Sequence, residues 1–445
     1  MLGSVLLLQA GQVTGRLLFF LFSLWYLNRW LGVEAKGAWI GIFSLFGILS
    51  VSSNMGFEIW LSRATAAGSV SRKAAFNFLF RVKSGLWAIC LLIGGWYVWR
   101  GDHHASLAIP FAFALVFDGV GVAQQAVFEG KRDTPAMTLM AFLKSGGFSL
   151  VALAVAFLAG HPELPLYGWI FAMVLLARTV YGHRCWRLLP EDGSKVDSSA
   201  WRASLLMGAY TMVTVLYFKI DAVMLSTMAG DLETGHYGNA YDFIEGSLFI
   251  SAAAGAVLYP RLVTGDESSR AHIFDPLFKF ILIAAAAMAC GLIVFGESVG
   301  LLFAGEGFAG AVKPLTILAF GLPFMFGNGL LSRWLFASGD EKLALQTAAI
   351  MAVFNIVGNW LLIPQYGASG AAVMTVATEG LLFLMWVLMG RKSWKLLAFW
   401  LLLPLIIVAM WYLTKQGYMW GAFVASVVLL GPPLVVYAMR SRDLG

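Results

Sequence analysis

Charge is what this chain has least of. Only 12% of its 445 residues are Asp, Glu, Lys or Arg, 60% are hydrophobic, and the mean hydropathy is +0.80. A soluble globular enzyme carries about twice that charged fraction, so that class is excluded. Cysteine is nearly missing as well. Cys90, Cys185 and Cys290 are odd in number and lie in or beside apolar stretches, which suggests neither a disulfide framework nor a metal cluster and leaves them as packing residues. The six histidines, His103, His104, His161, His183, His236 and His272, fall mostly in turns or near the ends of apolar stretches, with no second ligand at metal spacing. No Gly-rich phosphate loop followed by Lys and Ser/Thr is present, so the chain has no ATPase of its own. Nor is any outer loop long enough for the catalytic acids or arginines of a membrane-embedded glycosyltransferase or polymerase. The chain is therefore expected not to be an enzyme, to need no cofactor, and to draw its energy from a gradient or the membrane potential.

Long apolar runs are what the chain does have. Stretches of about 20 apolar residues, separated by short charged or Gly/Pro turns, predict an all-α polytopic membrane protein with roughly fourteen transmembrane helices. They lie at about 4–30, 38–62, 75–99, 106–128, 135–159, 165–188, 201–229, 237–263, 276–296, 312–334, 343–363, 369–390, 396–414 and 418–438. Met1 to Leu8 carry no Lys or Arg and no small-residue cleavage pattern follows, so the first run is read as a retained span.

With the N-terminus inside, the outer face holds Arg29, Lys36, Arg100, Lys313 and Lys415, while the larger inner set includes Arg63, Arg81, Lys83, Lys131, Arg184, Arg261 and Arg440. That asymmetry follows the positive-inside rule and predicts both termini in the cytoplasm. The basic balance is thus a matter of topology and anionic lipid, and does not point to nucleic acid.

A repeat organises the spans. Gly32, Gly37, Trp39 and Arg63 recur as Gly230, Gly235, Tyr237 and Arg261, each 198 positions later. Such repeats suit transporters, in which two related bundles rock about a midplane cavity. Similar Gly-rich turns between spans are the plainer alternative. The expected organisation is an N-terminal six-helix lobe over 1–188, a cytoplasmic linker over 189–200, a C-terminal six-helix lobe over 201–390, and two further helices with a short tail over 391–445.

Polar residues inside the spans are the candidate site. Arg16, Lys144, Arg178 and Lys219 remain after the loop charges are assigned, and each costs several kcal/mol if it faces lipid. Gln9, Gln12, Arg16 and Ser23 share one face of the first helix, and Tyr210, Thr214, Tyr217 and Asp221 share one face of the seventh. Two such stripes can line a cavity, or can serve as inter-helix hydrogen-bonding residues. Lys219 is expected at the cavity or snorkelling outward, Lys144 in the first lobe or paired with Asp118, and Arg178 as an interfacial anchor. Among the acids, Asn54 and Glu58 share a face at i+4, and Asp242 and Glu245 at i+3. These carboxylates, with Asp221, are candidates for coupling to protons or sodium, or for structural salt bridges. Asn355 and Asn359 suit inter-helix bonding.

Several strings carry a resemblance: Arg29-Trp30-Leu31-Gly32 through Gly37-Ala38-Trp39, Met55-Gly56-Phe57 leading to Arg63, Lys219-Ile220-Asp221 leading to Gly235-His236-Tyr237, and Tyr259-Pro260-Arg261. The most specific is Asn355 to Asn359 followed by Ile363-Pro364-Gln365-Tyr366-Gly367-Ala368-Ser369-Gly370. In these the chain resembles the polysaccharide-type flippases of the multidrug/oligosaccharidyl-lipid/polysaccharide exporter superfamily, over roughly residues 1–390.

The resemblance implies two pseudo-symmetric six-helix lobes plus two C-terminal helices. It also implies outward translocation of an undecaprenyl-diphosphate-linked oligosaccharide across the bacterial inner membrane, for O-antigen or other surface polysaccharide. The substrate-binding set would be Arg16, Gln12, Gln9, Lys144, Lys219, Tyr210, Thr214 and Tyr217, with Asp221, Glu58, Asp242 and Glu245 as coupling candidates. Membrane lipids, and a polysaccharide polymerase and chain-length regulator, are the implied neighbours of a monomer. Physics agrees: a diphosphate glycan needs cations and hydrogen-bonding side chains to cross about 30 Å of hydrocarbon. The rivals are a lipid II flippase and a cation-coupled multidrug exporter of the same superfamily, the latter expected to have an acidic cavity.

Overall fold

The computed structural model describes residues 14–15, 17–68, 72–101, 105–131, 133–160, 162–188, 200–391, 407–409, 411–418 and 430. Every regular element among them is helical. In chain order these are α1 (Leu17–Leu31, π-wound from Leu21), α2 (Val33–Asn54), α3 (Phe57–Ala66), α4 (Arg72–Gly101), α5 (Ala105–Lys131), α6 (Thr134–Phe142) and α7 (Phe148–Ala159). They continue as α8 (Leu164–Leu188), α9 (Ala200–Met228), α10 (Gly230–Thr264), α11 (Glu267–Ala304), α12 (Val312–Ser338) and α13 (Glu341–Met385). A π-turn, Leu143–Gly147, joins α6 to α7.

Eight helical stretches among the described residues are long and apolar enough to cross a membrane, with Leu17–Leu31 and Phe148–Ala159 as shorter apolar helices. Two of the eight are composite. Ser268–Ser338 turns at Gly305 (φ 72°) and the 3-10 segment Gly305–Ala311, which separates α11 from α12. Glu341–Met389 breaks at Gly367 (φ 51°, ψ −132°), a conformation that side chains with a Cβ avoid. Apolar side chains cover both faces of these helices: on α5, Phe111 and Leu115 are buried while Ile109 and Phe113 are exposed. A helix apolar all round is what a bilayer requires of its solute.

The expected span over 38–62 is two helices, α2 and α3. Met55 and Gly56 both take left-handed backbone (φ 45° and 76°) between them, so Asn54 and Glu58 do not lie on one continuous helical face.

Internal contacts divide the chain into Met1–Gly235 and His236–Gly445, with the boundary inside α10. The expected linker, 189–200, lies outside the described residues except for Ala200, and so does most of 391–445.

In the first unit, α5 is the central helix, packed against α8, α3, α2 and α4. The unit differs along its length. One half is aromatic: Trp39 stacks on Phe148 at 5.5 Å, Phe22 meets both edge-on, and Phe46 and Phe171 pack at 5.3 Å. A second apolar cluster lies around Phe57, Trp60, Phe128 and Met140, and Ser50, Asn54, Lys83, Asp118 and Arg178 of the same unit are polar and equally buried.

The repeat read in the sequence has a geometric counterpart in this unit. Gly32 (φ 89°) precedes α2 and Gly230 (φ 85°) opens α10. A Cβ on Gly37 would lie 1.8 Å from the Asp231 carbonyl oxygen, and one on Gly235 would lie 2.2 Å from that of Val33. Asp231 is itself 198 positions after Val33, so the first turns of α2 and α10 meet reciprocally at glycines.

In the second unit α12 packs between α11 and α13, and Phe274, Phe278, Trp334 and Phe383 form its aromatic contacts. Its buried hydrogen bonds include those from Asn328 to Glu379 and from Trp386 to Thr347.

Candidate functional site

The buried polar cluster of the first unit is organised on Asp118, a carboxylate with no exposed surface in the middle of α5. Burying an unpaired carboxylate in hydrocarbon is prohibitive, so its partners decide whether the unit folds. The Arg178 Nη1 of α8 donates to Asp118 Oδ1 at 2.9 Å. Lys144 Nζ reaches both oxygens, 2.9 Å from Oδ1 and 3.0 Å from Oδ2. Ser50 Oγ of α2 donates to Oδ2 at 2.6 Å. Two cations therefore share one carboxylate.

The network extends along α5. Asp118 and Gln125 stand at i and i+7 on one face, and Arg178 Nη2 donates to Gln125 Oε1 at 2.9 Å. Gln125 Nε2 donates in turn to Glu129 Oε1 at 3.2 Å. On a neighbouring side of α5, Lys83 of α4 is 1% exposed and donates to Asn54 Oδ1 at 2.5 Å and to the Gly119 carbonyl at 2.7 Å. Its ammonium lies within electrostatic reach of the carboxylates of Glu58 and Asp118.

The local sequence makes room for these groups. In Asp118-Gly119-Val120-Gly121, a Cβ at Gly119 would lie 2.7 Å from the Trp87 indole nitrogen, and one at Gly121 2.8 Å from Arg178 Nη1. Small residues on either side of the acid let an indole and a guanidinium lie against the α5 backbone. Arg178 Nε, Trp87 Nε1 and Glu58 Oε2 are buried without a hydrogen-bond partner among the described residues. The cluster thus holds donor and acceptor capacity that its own members leave unused.

Lys144 differs from the other cations in exposure. Its side chain is 42% exposed, whereas those of Asp118 and Arg178 are fully buried. It stands on the π-turn Leu143–Gly147, a distortion of the helical ladder common at functional positions. A Cβ on Gly146 of that turn would lie 2.9 Å from the Cα of Gly15.

The other residues singled out in the sequence are distributed as follows. Gln9, Gln12 and Arg16 lie outside the described residues. Tyr210, Thr214 and Lys219 are half-buried on α9, and Tyr217 and Asp221 on the same helix are buried. Asp242 is half-buried and Glu245 exposed on α10, in the second unit. Asn359 donates to Asn355 at 2.9 Å.

Three readings change. Arg178, expected as an interfacial anchor, is fully buried and paired with Asp118. Lys83, assigned to the inner loops, and Lys36, assigned to the outer face, are both buried within the first unit. Hydropathy places such residues near helix ends but cannot say which way they face. The signal that could have located Arg178 is the acid followed by two glycines at 118–121, which advertises space for a large cation.

The family described as polysaccharide biosynthesis protein matches residues 1–265, and the family described as lipid II flippase MurJ matches residues 137–439. Each of these models matches more than half of the sequence, and the chain belongs to the polysaccharide biosynthesis family of the multidrug/oligosaccharidyl-lipid/polysaccharide exporter superfamily. Among curated relatives, the chain is 25% identical to the uncharacterized membrane protein MJ1068 of Methanocaldococcus jannaschii over 40% of its length and 37% of that one. It is 25% identical to the capsular polysaccharide biosynthesis protein CapF of Staphylococcus aureus over 36% and 41%, so the matches span less than half of these two relatives. With the probable low-salt glycan biosynthesis flippase Agl15 of Haloferax volcanii the identity is 21% over 79% of this chain and 75% of that one. In fold, the chain is similar to the lipid II flippase MurJ in an inward closed conformation (TM-score 0.69, 14% identity, 100% of both chains). It is also similar to an inward-facing multidrug resistance transporter (TM-score 0.63, 13% identity, 86% of this chain and 95% of that one).

Proposed function

We propose that this flippase carries an undecaprenyl-diphosphate-linked oligosaccharide from the cytoplasmic to the outer leaflet of the bacterial inner membrane, by alternating access, for surface polysaccharide biosynthesis. The observation that carries the reading is the pairing of two cations, Lys144 and Arg178, with one buried carboxylate, and the part-exposure of Lys144. A cation that reaches the surface of a membrane-embedded bundle is suited to an anionic headgroup. Gly15 against Gly146 puts the residue preceding Arg16 beside the Lys144 turn, which supports Arg16 as a second phosphate ligand. Gln9, Gln12, Tyr210, Thr214, Tyr217 and Lys219 would bond the sugars or the second phosphate.

The proposed architecture is about fourteen spans in two pseudo-symmetric lobes with two further C-terminal helices and both termini cytoplasmic. The reciprocal glycines Gly37 and Gly235 support the repeat. Outward movement of the diphosphate is favoured by an inside-negative potential, by about 2.3 kcal/mol per charge per 100 mV. Asp221, Glu58, Asp242 and Glu245 are the proposed positions for proton or sodium coupling that resets the carrier. A polymerase and chain-length regulator would receive the product from a monomeric carrier.

Lipid II, also a polyprenyl diphosphate glycan, is the second reading, favoured by the family match over residues 137–439. The test is a reconstituted-liposome assay for leaflet exchange of a short undecaprenyl-diphosphate oligosaccharide and of lipid II, with Arg16→Ala and Lys144→Gln as controls. Exchange of the first, lost in both variants, is expected. Exchange of lipid II alone would move the assignment to the second reading, and efflux of organic cations without lipid exchange would overturn both.

A further inference from the structure

We propose that Asp118 is an internal stand-in for the substrate's phosphate, and that Lys144 is a transferable cation that leaves Asp118 for the diphosphate when substrate arrives. The inference rests on the lipid diphosphate reading above and names the positioning chemistry within it.

The geometry distinguishes a fixed cation from a movable one. Arg178 is fully buried, bonded to Asp118 and Gln125, and pressed against Gly121, where a Cβ would meet its guanidinium. It has nowhere to go. Lys144 has a flexible four-carbon stem and a side chain 42% exposed, and it stands on a π-turn that ends in Gly146-Gly147. It can swing outward at the cost of one salt bridge, with the backbone beneath it already irregular.

Asp118 can also spare it. When Lys144 leaves, Oδ1 keeps Arg178 and Oδ2 keeps Ser50, so the buried carboxylate stays neutralised and hydrogen-bonded. Had Lys144 been its sole partner, the exchange would strand a charge in the membrane. Lys83, held by Asn54 and the Gly119 carbonyl, adds positive potential from a neighbouring side of α5. The resting ammonium is thereby held ready and partly desolvated, and it exchanges one oxyanion for another.

Asp118 then competes with substrate, which sets the release side of the cycle: the carboxylate reclaims Lys144 and expels the phosphate. Removing the competitor should tighten binding, since the apparent affinity rises with the fraction of Lys144 available.

The test measures binding of undecaprenyl diphosphate and of undecaprenol to the full-length protein in nanodiscs. Wild type should prefer the diphosphate. Lys144→Gln should lose about tenfold or more of that preference while Lys144→Arg keeps most of it. The paired variant D118N/R178Q, which keeps hydrogen-bonding groups and removes both buried charges, should bind the diphosphate several-fold tighter than wild type. As a measurement independent of variant folding, undecaprenyl diphosphate but not undecaprenol should protect wild-type Lys144 from an amine-reactive ester. Preference for the diphosphate with neither protection nor an effect of Lys144→Gln would overturn the exchange and leave the flippase reading intact. A folded D118N/R178Q protein that binds no more tightly than wild type would refute the competition. No preference in wild type would sink the lipid diphosphate reading itself.

Discussion

Each unit buries a carboxylate in the middle of a membrane helix, and the two solve the problem differently. Asp118 in the first unit is met by a guanidinium, an ammonium and a hydroxyl. Glu379 in the second, 1% exposed, accepts at Oε2 from the neutral amide of Asn328 at 2.6 Å, while the same amide donates to the Glu379 carbonyl at 3.0 Å. An amide clamp that joins side chain and backbone of one residue fixes a helix contact between α12 and α13. A carboxylate shared by two cations has a partner to give up. The first arrangement suits chemistry that must change during transport, and the second suits a joint.

The comparison can be broken most severely at Arg178. Arg178→Ala leaves Asp118 without its buried partner and should destabilise the first unit by about 3–5 kcal/mol, seen as lost monodispersity and a lower unfolding temperature in detergent. The charge-free pair D118N/R178Q should recover most of that loss. If Arg178→Ala is as stable as wild type, the ion pair is not holding the unit.

Asn328→Leu should cost less, about 1–3 kcal/mol, because it strands an acceptor that Asn328 had satisfied. Glu379→Gln, which keeps an acceptor of the same shape, should stay within about 1 kcal/mol of wild type. A large effect of Glu379→Gln on thermal stability would mean that the charge of Glu379 matters as much as that of Asp118, and the contrast between the units would fail.

Ser50→Ala removes one neutral donor from Asp118 and leaves both cations, so a loss of about 1 kcal/mol or less is expected in the same assay. Destabilisation as great as that of Arg178→Ala would show that the hydroxyl, not the charge, is the main support.

The smallest effect belongs to a carboxylate in water. Asp266 caps α11 by accepting from the Ser269 amide at 3.1 Å and from Ser268 Oγ at 3.0 Å. The bonds from Ser269 and Ser268 hold its carboxyl below the ordinary value of 3.8. Because the folded value is depressed, its capping contribution is complete above that ordinary value and fades as pH falls through the depressed one. Protection of the first turn of α11 from hydrogen exchange, taken relative to the intrinsic rate at each pH, should therefore fall as pH drops through that depressed value in wild type, and be low at every pH in Asp266→Ala. Protection in wild type that does not change across that range would count against the cap.

How much of this was legible differs from residue to residue. Gly32, Gly37, Gly230 and Gly235 stood out by spacing, and two of them prove to hold positive φ while the other two admit a backbone crossing. Such demands are local and leave glycine as their mark. The break at Met55-Gly56 was missed, because a hydropathy run continues smoothly across two left-handed residues. Lys83 and Arg178 were misread for a related reason. Each has a long side chain that its own helix leaves free to point either way, and only the packing of α4 and α8 on α5 turns them inward. Lys144 and Asp118 were recognised as intramembrane charges whose pairing was one of two options, and the structure brings them to 2.9 Å.

The sequence by itself determined the class: so few charges and so many apolar runs leave little besides a helical membrane protein, because hydrocarbon tolerates backbone only when it is internally hydrogen-bonded. Only the tertiary structure decided which charges meet. Asp118, Lys144 and Arg178 come from three helices far apart in the chain, and which of them face one another is set by how α5, α8 and the π-turn pack. Helical periodicity fixes the face on which a residue sits, and it carries no information about the helix opposite.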